Sequence, residues 1–401
     1  MKFSVLLPTR NRLDLLGYAV ETVRRQDYDN WEVIISDNHS DQDIAGFVRS
    51  LNDDRVRYVR TETFIPVTDN WNNALEKASG DYVIMLGDDD CLMKGYFSKM
   101  SRLLKEFDAP DVVYTSAFLY TYPGVLPGKP DGGLRSYVRR KIFQSTHEAF
   151  LLKKENAIEF VNDSLNFRVT FDYNMQFFLI NRKLVEAMKP YGPFFQSPYP
   201  DYYASNALLL KASRILVMPL PMVTIGISPK SFGFFYFNDA ESDGNEFLNN
   251  LPDQTIVRRL QSVILPGTVM NTSWLISMQT LMDNFAREFP IKVNYARYRL
   301  LQIVSLYAAS IMNRDSSRKA DELLSKKMRF SEWLRYGVAL SIVARIAPKR
   351  YRPYLAEKVL VVSGSHPAAY MPPVEGKFTT ILDVYDQVDP EKHGVSPRRS
   401  P

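Results

Sequence analysis

The chain has 401 residues, 45% of them hydrophobic and 13% aromatic, enough to bury a full core with more than one folding unit, which excludes a disordered chain. The 50 basic and 45 acidic side chains nearly cancel, and a net charge of +5 without a concentrated basic face argues against a nucleic-acid partner. Cys91 is the single cysteine, so no internal disulfide can form and a reducing, cytoplasmic compartment is expected.

Met1 to Leu7 imitates a signal peptide, but its apolar run is short and meets Pro8-Thr9-Arg10, so it reads as a buried first strand. Further strands are expected at Trp31 to Ser36, Val56 to Val59 and Tyr82 to Leu86. Between them Leu13, Leu16, Val20 and Val23, and then Trp71, Ala74, Leu75 and Ala78, recur at helical spacing, with Gly80 as a helix stop. Alternating strands and helices describe an α/β domain with a mostly parallel central sheet flanked by helices, whose ligands bind beyond the carboxyl ends of the strands.

After Asp111 a strand at Val112 to Tyr120 precedes a Gly/Pro-rich loop over Pro123 to Gly133. Helices near His147 to Val161 and Asp201 to Ala212 follow, with strands near Arg168 to Ile180 and Met222 to Ile227. The polar, acidic stretch Asn238 to Asn250 reads as a linker. Beyond it Trp274, Leu275, Met278, Leu281, Met282 and Phe285 open a helical region. Within that region Ser331 to Ala347 is apolar nearly all round and is followed by Lys349, Arg350 and Arg352, the pattern of a membrane-surface helix, although helix-bundle core is the simpler reading. No stretch reaches the roughly 20 apolar residues that cross a bilayer. The expected organisation is a catalytic domain over 1–240, with halves 1–110 and 111–240, a helical domain over 250–360, and an extended, partly disordered tail over 361–401.

Chemistry concentrates at three strand ends. Asp88-Asp89-Asp90 follows the fourth strand, and three adjacent carboxylates repel one another, a cost that a divalent cation removes. Oxygen ligands suit Mg²⁺ or Mn²⁺, completed by diphosphate and water, although capping aspartates in a solvated turn would look the same. Pro8-Thr9-Arg10-Asn11-Arg12 ends the first strand and Asp37-Asn38-His39-Ser40-Asp41 the second. Asp37 could accept from a base imide N–H while backbone groups near Thr9 meet its carbonyls. His39, His147, His366 and His393 show no metal-ligand spacing.

On these residues the first hundred positions resemble the inverting family 2 glycosyltransferases of GT-A fold. The resemblance is carried by Pro8-Thr9-Arg10-Asn11, Asp37, the run Asp69 to Leu75, Ala78-Ser79-Gly80 and the acidic cluster. It implies a nucleotide-sugar site of Pro8, Thr9, Arg10, Asn11, Asp37, Asn38, Asn70, Asp88 and Asp89, with Asp88 at the ribose and Asp90 and Asp88 at the metal. It also implies an acidic base opening a helix, for which Asp201 in Tyr199-Pro200-Asp201-Tyr202-Tyr203 is the best match, Asp172 and Asp239 standing behind it. Where relatives carry a histidine after the base, this chain has Gly226-Ile227-Ser228-Pro229-Lys230-Ser231, and Lys230 could offset diphosphate charge.

The expected function is transfer of a sugar from a nucleoside diphosphate sugar, UDP favoured, to an acceptor hydroxyl. The implied acceptor is a lipid-linked glycan at the inner face of the plasma membrane, with peripheral membrane contact. The alternatives are a sugar nucleotidyltransferase, which the absence of a Gly-rich phosphate loop disfavours, and a non-catalytic glycan-binding protein.

Overall fold

The computed structural model describes residues 1–126, 131–137, 140–237, 243–244, 246, 249, 252–312, 317–363 and 371–394. The strands are β1 (Phe3–Thr9), β2 (Trp31–Asp37), β3 (Val56–Arg60), β4 (Tyr82–Met85), β5 (Cys91–Leu92), β6 (Val112–Thr121), β7 (Gly133–Ser136), β8 (Phe150–Leu152), β9 (Phe178–Asn181), β10 (Ile215–Ile227) and β11 (Pro373–Val374). They form one sheet whose main path runs β11-β7-β6-β9-β4-β1-β2-β3, with β10 pairing β5, β6 and β8. The first four strands are mutually parallel, as the alternation with helices requires, because a parallel neighbour needs a crossover. β9 enters antiparallel between β4 and β6, and the far half of the sheet is mixed.

β1, β2 and β4 are buried almost throughout. Their near-continuous apolar runs are those of strands covered on both faces. Buried Leu16, Ala19, Val20 and Val23 of helix Leu13–Arg24 supply part of that cover. Parallel register aligns Thr9 with Asp37, so both strand ends open on the same edge.

Contacts divide the chain into two units, one of 1–161, 170–251 and 369–401, the other of 162–169 and 252–368. The expected extended tail is therefore corrected for its described part. β11 pairs antiparallel with β7. Helix Ile381–Gln387 follows, with a capping box at Thr380 and the Tyr385 hydroxyl donating to Arg25 O at 3.0 Å. Tyr120 donates to Phe378 O at 2.9 Å. These partners lie hundreds of positions away in sequence, where a local pattern carries no information about them. Two other expectations change. Arg168 to Ile180 gives one short strand, β9, after a single 3₁₀ turn at Met175–Phe177, and the helix expected from His147 begins at Lys154. Most of the Asn238 to Asn250 linker lies outside the described residues, and the aromatic run after Ser231 forms helix Phe232–Phe237.

The second unit is helical. Tyr307, Ile303, Ile311, Leu324 and Ala344 share its core. Arg299, 1% exposed, is neutralised by Glu332 through bonds of 2.7 Å from Nε and from Nη2, and it also donates to the carbonyls of Ser262, Val263 and Lys327. A buried guanidinium persists only when its donors are satisfied in this way.

Candidate active site

The acidic cluster directly follows β4 and is enclosed, Asp88, Asp89 and Asp90 being 3%, 6% and 2% exposed. Each carboxylate finds a different partner. Asp88 accepts from Thr9 Oγ1 and from Arg12 Nη1, both at 2.7 Å, so the end of β1 clamps the cluster. Asp89 accepts from Ser228 Oγ at 2.8 Å. Asp90 accepts from three N–H groups: Gly87 N and Gln176 Nε2 at 2.7 Å and Gly226 N at 2.8 Å. Burial, with the charge of Asp89, pushes the Asp90 carboxyl upward, against those three donors. Burial also raises Asp89, and Arg12 is the main influence holding it down.

The strand end after β10 completes the ring. A Cβ on Gly226 would stand 1.8 Å from the carbonyl oxygen of Asp89, so this backbone approach admits only glycine. Two residues on, the Ser228 to Ser231 loop meets the end of β1. The Arg12 guanidinium donates to Lys230 O, and Lys230 Nζ lies 3.4 Å from both Asn11 O and Asp14 Oδ1. Lys230 is 45% exposed and paired with Asp14 at the rim of the buried carboxylates. Asn11 takes φ 54°, a left-handed conformation that asparagine tolerates better than most residues, and its side chain is bonded both ways to Asp41.

The geometry brings Asp201 into the same constellation through one turn. Met175 N–H donates to Asp201 Oδ1 at 3.0 Å, and the next residue, Gln176, donates to Asp90. The 3₁₀ turn Met175–Phe177 thus ties the acidic cluster to the first turn of helix Pro200–Lys211. Burial pushes the Asp201 carboxyl up to about 7, with the Met175 bond pulling the other way. Asp201 lies in the helix's first turn and is not its N-cap, a position held by Tyr199, which makes no side-chain cap bond. Asp172 is instead committed to an ion pair with Arg140, and Asp239 lies outside the described residues.

The residues assigned from sequence each have protein partners in the structure. Asp37 is buried, and its two oxygens accept from Ser40 N at 2.9 Å and Tyr58 Oη at 2.8 Å, bonds that fix the loop after β2. Asn38 bonds to Ile65 in both directions and Asn70 to Ser36 in both directions, so both brace the sheet edge. Pro8 is partly buried, Thr9 reaches Asp88, and the Arg10 guanidinium lies 3.8 Å from the centroid of the Phe64 ring. Arg12, Gln176 and Ser228 were not assigned from sequence. Arg12 sits in a run that drew attention, but nothing marks Gln176, which falls where a strand was expected.

The fit of a divalent cation follows from the same bonds. Asp90 has both oxygens turned to protein donors and Asp88 is already paired with a guanidinium, so the expected Asp90–Asp88 ligand pair does not fit. No three His, Cys, Asp or Glu side chains among the described residues converge as a ligand set. Asp90 is better understood as the knot joining the cluster, the Gly226 strand end and the Gln176 turn. Asp90→Asn is accordingly expected to destabilise the protein by about 1–3 kcal/mol, because one amide oxygen cannot satisfy three buried donors. Thermal melts with and without EDTA should show the same loss. A loss confined to metal-loaded samples would restore the ligand role.

An open α/β sheet whose strand ends gather carboxylates, an arginine and a half-exposed lysine has the layout in which ligands bind beyond the carboxyl ends of the strands. Residues 4–187 match the model of Glycosyl transferase family 2. It is 37% identical over 108 residues to the GalNAc(5)-diNAcBac-PP-undecaprenol beta-1,3-glucosyltransferase of Campylobacter jejuni, covering 26% of this chain and 35% of that one. It is 28% identical over 87 residues to the UDP-Glc:alpha-D-GlcNAc-diphosphoundecaprenol beta-1,3-glucosyltransferase WfgD of Escherichia coli, covering 22% of this chain and 34% of that one. The matched segment thus spans about a third of each of these relatives. Among solved structures, S. aureus TarS 1–349 aligns over 94% of this chain and all of that one, at 16% identity and a TM-score of 0.45.

Proposed function

We propose that the chain transfers a sugar from a UDP-sugar to a hydroxyl of a lipid-linked glycan, with inversion at the anomeric carbon. The observation that carries this reading is the single turn through which Met175 holds Asp201 and Gln176 holds Asp90, since it links a carboxylate suited to proton removal with the nucleotide end of the sheet. The acceptor oxygen attacks the anomeric carbon and its proton passes to Asp201. The bond from that carbon to the diphosphate breaks, and its electron pair leaves with the nucleoside diphosphate. Lys230, with Arg12 behind it, stabilises the charge that develops on the diphosphate in this reading. No step is assigned to a metal. The donor and acceptor classes are supported by the two relatives, whose names specify undecaprenol-linked acceptors and, for WfgD, UDP-Glc.

A thermal-shift screen of UDP-, GDP- and TDP-sugars, each with and without Mn²⁺, tests the donor, because a ligand that binds the folded state raises its melting temperature with affinity. UDP-sugars should give the largest shift and slow release of UDP without acceptor. Stabilisation with no nucleotide release, even with undecaprenyl diphosphate glycans present, would mark a binding protein instead.

A further inference from the structure

We propose that residues 330–361 form a docking face for the surface of an anionic phospholipid bilayer. Phe330, Leu334 and Ile346 are 76%, 63% and 72% exposed, and Trp333 and Ile342 are open as well. The Phe330 and Trp333 rings stack with centroids 6.0 Å apart at the start of this face. Along the turn Trp333–Gly337 and helix Val338–Ile346, the outward positions Arg335, Ala339, Ile342 and Ile346 recur at helical spacing, while Ala344 and Ala347 enter the unit's core. The helix is therefore apolar on its inner and its outer side, and a purely water-facing outer side would not be.

Charge selects the occupant. Residues 326–358 hold Lys326, Lys327, Arg329, Arg335, Arg345, Lys349, Arg350, Arg352 and Lys358 against Glu332 and Glu357. Glu332 is committed to Arg299 and Arg345 is paired with Asp321, so the remaining outward charge of this stretch is mainly positive, carried by Lys349, Arg350, Arg352 and their neighbours. A second copy of the chain would bring like charges face to face in a two-fold interface. Anionic headgroups complement them, with apolar side chains entering the headgroup boundary beneath. No described helix is long and apolar enough to cross a membrane, which limits the contact to the surface.

The test is flotation of the full chain with phosphatidylcholine vesicles with and without phosphatidylglycerol. Binding is expected only to the anionic vesicles and should weaken with salt, as screened headgroup attraction does. Leu334→Ser with Ile346→Ser, and separately Lys349→Glu with Arg350→Glu, should each reduce vesicle partition by about tenfold or more, both apolar insertion and charge being required. All four side chains are outside the core, and unchanged melting temperatures establish folding. Tryptophan emission should shift to the blue on binding and lose that shift in Trp333→Phe. Failure to float, equal binding by the serine variant, or a dimer that the serine variant dissociates would overturn the proposal. Nucleotide release from UDP-sugar is independent of this face, so failure here leaves the transfer reading to its own test.

Discussion

Asp201→Asn is expected to lower turnover by about 10² to 10⁴, the usual contribution of a positioned general base, while UDP affinity barely changes. The substitution keeps an oxygen for the Met175 N–H, so the turn that links it to Gln176 survives. The pH dependence gives an independent readout. Only the ionised carboxylate can take a proton, so with Asp201 held near 7 the wild-type kcat should rise as pH increases through about 7 and level off above it. The variant should lack that limb. Stability runs in the opposite sense. An acid whose folded value is raised above its ordinary value of about 4 stabilises nothing when ionised, and from about pH 4 upward through 7 the folded state loses stability relative to the unfolded chain. The neutral variant escapes this, so at pH 8 it should melt no lower than wild type. Near-normal turnover with an unchanged pH profile would remove Asp201 from the base role.

Arg12→Met should be the most destabilising single change in the first unit, by about 3–5 kcal/mol, because it strands a buried carboxylate without its cation. Arg12 is 12% and Asp88 3% exposed, so water cannot replace the lost partner. Arg12 also holds Lys230 O and counters the upward pressure on Asp89, so donor affinity should fall with stability. A double-mutant cycle with Asp88→Asn separates these effects: the amide removes the stranded charge, and the double variant should recover most of the melting temperature without recovering UDP binding. If Arg12→Met alone melted like wild type, Arg12 would be a surface cation with no part in holding the cluster.

Periodicity along the first hundred residues was sufficient to specify the parallel core and to place Thr9, Asp37 and Asp88 at strand ends, because strand length, apolar runs and glycine stops are local properties. What each carboxylate does was not legible. Asp88, Asp89 and Asp90 are neighbours of one type in the chain, yet one is paired with Arg12, one with Ser228 and one with Gln176 and two backbone amides. Those partners come from four separate segments, and only folding selects among them. The described part of the tail shows the same limit. Its turn signals and short helix are local, but its place beside β7 and helix Leu13–Arg24 depends on a sheet edge built more than two hundred residues earlier. Sequence by itself determined the element types, the α/β class and which strand ends carry charge. Tertiary structure alone decided which of those charges are neutralised and which remain for a ligand, because burial and pairing are properties of segments that meet only in space.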